Sequence, residues 1–121
     1  MNQLQPYNST GFMIVQAVSA GGAFPVIDAV VTINGVDPQN SDIHLVLRTD
    51  QSGKTDKIPL PTPPKELSLT PGNPSPYAKY NVSIFKEGYR LEEKIDIPVF
   101  SDITSIQFAN MVPTEVFEPG S

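Results

Sequence analysis

Apolar and polar residues alternate along this chain in short runs, each closed by glycine, proline, asparagine or aspartate, and a two-residue period of that kind predicts strands. The first run, Phe12 to Val18, is apolar on both sides of the period, with Phe12, Ile14 and Val18 against Met13, Val15 and Ala17. It reads as a strand with little of either face in water. Gly21-Gly22 turns the chain, Phe24-Pro25-Val26 leads back, and the run Ala29 to Ile33 ends at the turn signal Asn34-Gly35. In the third strand Ile43, Leu45 and Leu47 alternate with His44, Val46 and Arg48, which sends the first set inward.

Two junctions carry most of the remaining information. Thr49-Asp50-Gln51-Ser52-Gly53-Lys54-Thr55 and Tyr80 to Tyr89, the latter turning at Gly88, each place a polar turn containing glycine directly after an alternating run. Between them Ile58 and Leu60 form a short strand. The prolines from Pro59 to Pro64 confine it to an edge or a loop, because each removes a ladder donor. Leu67 and Leu69 anchor the next piece, and Pro71 to Pro76 is a loop. Tyr80, Val82 and Ile84 then alternate with Asn81, Ser83 and Phe85, and Ile95, Ile97 and Val99 with Lys94, Asp96 and Pro98, which predicts a hairpin. A last strand runs from about Thr104 to Met111 with Ile106 and Phe108 on one face. No segment holds a 3.6-residue period beyond two turns. The expected fold is therefore all-β, a β-sandwich of about seven to eight strands over residues 11–113, with a flexible N-terminal arm at 1–10 and a C-terminal tail at 114–121.

Composition narrows the function. A chain of 121 residues is one domain, large enough to hold a core without staples, and it contains no cysteine for a disulfide or a thiolate metal site. The net charge of −5, with eight Lys and Arg spread singly, argues against a nucleic-acid partner. The longest apolar run, Phe12 to Val15, is far too short for a membrane span, and Met1 to Thr10 lacks the basic and apolar regions of a secretory signal.

Several residues invite a chemical reading and fail it. Ser52-Gly53-Lys54-Thr55 resembles the end of a phosphate-binding loop, but Arg48 stands where that motif needs glycine. Asp50, Ser52 and Asp56 have a calcium-loop spacing, yet the position of the bidentate acid is Pro61, so Asp50 is read as a turn cap. His44 is the only histidine and lies on the outward set of its strand. Glu92, Glu93 and Asp96 crowd one hairpin around Lys94, as a solvated face rather than a carboxylate pair across a cleft. Tyr7, Tyr77, Tyr80 and Tyr89 have the ring and hydroxyl suited to stacking on sugars, although packing accounts for Tyr80 and Tyr89. A Lys-to-Asn crosslink between first and last strands would need a lysine in the first, and none precedes Lys54, so Asn110 has no such partner. No catalytic residue, metal ligand or cofactor is assigned, and the chain is not expected to be an enzyme.

The segments Gly22 to Ile33, Thr49 to Thr55, Leu60 to Pro64, Pro76 to Ile84 and Glu87-Gly88-Tyr89, in this order, resemble the carboxypeptidase-regulatory-like domain family over roughly residues 11–113. Pro76-Tyr77-Ala78-Lys79-Tyr80 together with Phe100 to Pro113 is similar to the variety beside peptidoglycan-processing modules in spore-forming Firmicutes, including the N-terminal region of clostridial spore cortex-lytic enzymes. The resemblance implies an Ig-like or transthyretin-like (prealbumin-like) sandwich, a setting that is extracellular, on the cell surface or on the spore surface, and no catalytic residues.

Two functions follow as expectations. The first is a structural, self-assembling or fibre-forming subunit of the cell envelope or spore surface, whose partners are other copies or envelope and spore proteins. Its association residues would be Tyr7, Phe12 and Ile14 toward one end and Val116 and Phe117 toward the other, adding to neighbouring sheet edges. The second is an accessory module that binds peptidoglycan or another glycan beside a cell-wall hydrolase.

Overall fold

In the computed structural model, which describes residues 7–68 and 77–114, the chain is an all-β sandwich of two four-stranded sheets. Its strands are β1 (Ser9–Ser19), β2 (Phe24–Pro25), β3 (Val30–Gly35), β4 (His44–Arg48), β5 (Ile58–Thr62), β6 (Ala78–Phe85), β7 (Glu92–Val99) and β8 (Thr104–Asn110). Single 3-10 turns at Ala20–Gly22 and Pro38–Asn40 and one helical turn at Lys65–Ser68 connect them. Leu67 falls in that helical turn, and Leu69 and the Pro71–Pro76 loop lie outside the described residues.

The first sheet is organised around β1. One flank of β1 pairs antiparallel with β5 over Ser9 to Met13 and with β2 at Val18 and Ser19, while the other pairs in parallel with β8 from Phe12 to Val18. The second sheet is antiparallel in the order β4-β3-β6-β7. Period-two alternation then closes the core: Met13, Val15 and Ala17 of β1, Leu60 of β5, and Ala109 with Met111 at the end of β8 meet Val31, Ile33, Tyr80, Val82, Ile84, Ile97 and Val99 from the facing sheet. Ile43, Leu45 and Leu47 pack against this core half-buried, on the side their alternation predicts. Pro59 and Pro61 do sit in an edge strand, since β5 pairs only with β1 among the described residues.

Two expectations are corrected. β1 begins at Ser9 and Tyr7 packs against the core, so residues 7–10 belong to the sandwich and not to a flexible arm. Ile95 is 71% exposed rather than inward. The register places Tyr80 opposite Ile97 and Val82 opposite Lys94, so Ile95 and Asp96 together face Asn81 in a β-bulge, with Asp96 at φ +55° and its N–H donating to Asn81 Oδ1 at 2.9 Å. The extra residue shifts the alternation by one. Ile106 and Phe108 share one face of β8, as the alternation predicts, and that face points away from the core. Parallel pairing with β1 sets Ile106 beside Ile14 and Phe108 beside Gln16, on the face opposite Met13, Val15 and Ala17.

Candidate functional site

The polar junction after β4 is a structural stitch. Asp50 Oδ1 accepts the backbone N–H groups of Ser52 at 2.8 Å and Lys54 at 3.0 Å, and Gly53 takes φ +77° to close the turn. Those two donors, Lys54 first, hold the Asp50 carboxyl below its ordinary range. On either side a buried threonine ties the turn down. Thr49 Oγ1 donates to the Val26 carbonyl at 2.7 Å and accepts from the Ala29 N–H at 2.8 Å, whereas Thr55 Oγ1 accepts from the Val15 N–H at 3.0 Å. Of the groups that suggested a phosphate or calcium loop, the Asp50 carboxylate, the Ser52 and Lys54 amides and the Thr55 hydroxyl are thus engaged within the chain itself.

A second polar cluster fixes Tyr7. Its hydroxyl donates to Asp37 Oδ2 at 2.8 Å, the same oxygen accepts the Lys79 N–H at 2.9 Å, and Lys79 Nζ lies 3.8 Å from Asp37 Oδ1. Burial and the Asp37 carboxylate both push the Tyr7 phenol well above its usual range. Asp37 and Asn40 form a reciprocal cap on the turn between β3 and β4, and Asn40 Nδ2 donates to the Lys79 carbonyl at 3.1 Å. Beneath it Tyr80 donates its hydroxyl to the Pro61 carbonyl at 2.6 Å, and burial first of all pushes its pKa up to about 12.

The tyrosines are therefore not arranged as a sugar platform. Tyr7 and Tyr80 are held internally, Tyr89 packs half-buried against the core, and Tyr77 lies tilted against Phe100 at 5.3 Å between ring centroids. Exposed His44 shares a hydrogen bond with Asn34 through Nδ1, and no group of three or more His, Cys, Asp or Glu among the described residues is placed to hold a metal ion. An open depression of about 230 Å³ is lined by Asp28, Val30, Arg48, Phe85, Lys86 and Glu87, with Arg48 paired to Asp28 at 3.1 Å. It is smaller than the roughly 300–1,000 Å³ of most small-molecule sites.

The most distinctive surface is the outer face of the sheet built on β1. Phe12, Ile14 and Val18 are half-buried there, while Ile106 is 52% and Phe108 59% exposed on the adjacent β8. Lys57 Nζ sits 4.7 Å from the Phe12 ring centroid and covers one end of the patch. Of the residues expected to mediate association, Phe12 and Ile14 fall on this face, in a central strand rather than in an arm. Tyr7 is tied to Asp37 on the far side of the β1 start, and Val116 and Phe117 lie outside the described residues. Exposed Ile106 and Phe108 extend the face, and their common side of β8 was visible in the alternation.

No family model matches the chain, and no curated protein matches it. Solved structures do. The Bacillus anthracis TIE protein superposes with a TM-score of 0.59 at 14% identity over 88% of this chain and 17% of that one. The 3-chlorocatechol 1,2-dioxygenase of Rhodococcus opacus 1CP gives 0.60 at 14% identity over 88% of this chain and 60% of that one. The catechol 1,2-dioxygenase of Acinetobacter sp. ADP1 gives 0.57 at 13% identity, covering 97% and 59%. The chain spans less than two thirds of each of these proteins, and at such identities the likeness concerns the fold alone.

Proposed function

We propose that this chain is a non-catalytic structural subunit that associates with copies of itself through its sheet edges and the apolar outer face of the β1 sheet. The observation that carries the reading is the contiguous row Phe12, Ile14, Ile106 and Phe108, half-buried on β1 and exposed on β8 with no described strand over it, on a sandwich whose polar clusters serve its own fold. Contiguous apolar surface of this kind is uncommon on a monomer and favours association. The resemblance to carboxypeptidase-regulatory-like domains supports a setting on the cell envelope or spore surface of a Firmicute. Light scattering and size-exclusion chromatography at two protein concentrations test the reading: the apparent mass rises above 13.2 kDa with concentration. A fixed monomer up to the highest concentration overturns it.

A second reading, an accessory module on peptidoglycan or another glycan, is favoured by one observation. Phe85 is 51% exposed beside Arg48 and Lys86, presenting a ring flanked by donors. Retention on purified cell wall that Phe85→Ala abolishes would support it, and no retention at low salt would remove it.

A further inference from the structure

We infer that the contact between copies is an antiparallel pairing of β8 with β8 of a second molecule across a two-fold axis at Gln107. This rests on the self-association proposed above and names the surface that performs it. The direction of the β8 amides follows from two bonds to β1: the Phe12 N–H donates to the Ile103 carbonyl at 2.9 Å and the Met111 N–H to the Val18 carbonyl at 2.6 Å. Residues of that parity spend their backbone groups on β1. Thr104, Ile106, Phe108 and Asn110 therefore turn theirs to the free edge, where no described strand pairs with them.

The other edges carry devices that obstruct strand addition, whereas β8 carries none within Thr104–Asn110 and is closed only beyond it, where the Arg90 N–H donates to the Val112 carbonyl at 2.8 Å. Pro59 and Pro61 lack N–H groups on the free side of β5, β7 contains Pro98 and the bulge at Ile95 and Asp96, and β4 has only five residues with His44 and Arg48 at its ends. From Ile103 to Thr114 there is no charged residue, in a molecule of net charge −5. A two-fold contact sets each patch against itself, so like charges would oppose it, and a neutral strand is what self-pairing requires.

Register selects the axis. Centring on Gln107 pairs Thr104 with Asn110 and Ile106 with Phe108 of the second copy, and the reverse, so that all four free-edge residues exchange backbone hydrogen bonds. On the outer face each Ile106 then meets a Phe108 ring, and the apolar rows of the two molecules run on as one. Gln107 faces its own copy as a non-hydrogen-bonded pair, with Cα atoms ~4.5 Å apart, inside the span a disulfide bridges.

The chain has no cysteine, so Gln107→Cys in the whole 121-residue chain gives a single reporter, with Val46→Cys on the β4 edge as control. Mild oxidation should convert most of the Gln107→Cys protein to a covalent dimer and leave the control at least tenfold less crosslinked. Phe108→Lys should be monomeric at concentrations where wild type is dimeric, with a melting temperature equal to that of wild type diluted to its monomer, because that side chain is exposed in the single chain. Dimers that persist in Phe108→Lys, or that fail to crosslink at position 107, overturn the β8 geometry while leaving self-association standing. A wild-type protein that stays monomeric throughout removes both.

Discussion

At the scale of single residues, fixation of the sandwich depends on side chains that bond backbone. Thr49→Val leaves the Val26 carbonyl and the Ala29 N–H without their partner, and should destabilise by about 1–3 kcal/mol in urea unfolding. Lys54→Ala, one residue beyond the glycine of the same turn and exposed, should stay within about 0.5 kcal/mol. Gly53 is constrained twice, by φ +77° and by a Cβ that would stand 2.4 Å from the Ala17 carbonyl oxygen, so Gly53→Ala should cost more than either. Tyr80 adds a pH signature. Its folded pKa of about 12 lies above the ordinary 10.0, so its contribution is complete below pH 10 and is lost as pH rises toward 12. Thermal melts of Tyr80→Phe should show a shallower alkaline decline than wild type across that window. The turn chemistry was legible because Asp, Ser and Gly at fixed offsets act locally. The bond from Tyr7 to Asp37 was not, since residues thirty positions apart meet only through the fold.

At the scale of elements, alternation identified the strands and misjudged a face in β7, where pairing overrode it. In β7 the bulge adds one residue, and no compositional mark announces it, so Ile95 reads as core and lies in water. Asp96→Gly relieves the positive φ and should raise stability by up to about 1 kcal/mol in urea unfolding. In β8 the larger apolar residues take the outer face because the strand must match the parity of β1, whose Met13, Val15 and Ala17 are fully buried. Central and edge strands also differ in tolerance. Ile84 is fully buried between β3 and β7, so Ile84→Asp places an unpaired carboxylate in the core and should abolish folding by circular dichroism. Leu45 on edge strand β4 is only half-buried, so Leu45→Asp should lower the melting temperature by less.

For the whole molecule, the decisive arrangement is the parallel union of β1 with β8, elements from opposite ends of the described sequence. The sheet around β1 stays incomplete until the last strand arrives, and contacts so distant along the chain make the domain a slow folder, in milliseconds to seconds by stopped-flow. Those two strands run side by side in the same direction, so the start of one and the finish of the other lie at opposite ends of the pair. Tension between those points acts along the strands and loads their hydrogen bonds in shear, all at once, where a hairpin would unzip bond by bond. The domain would yield abruptly and at high force, as a mechanical clamp, and single-molecule pulling from its two ends would register that rupture as one event.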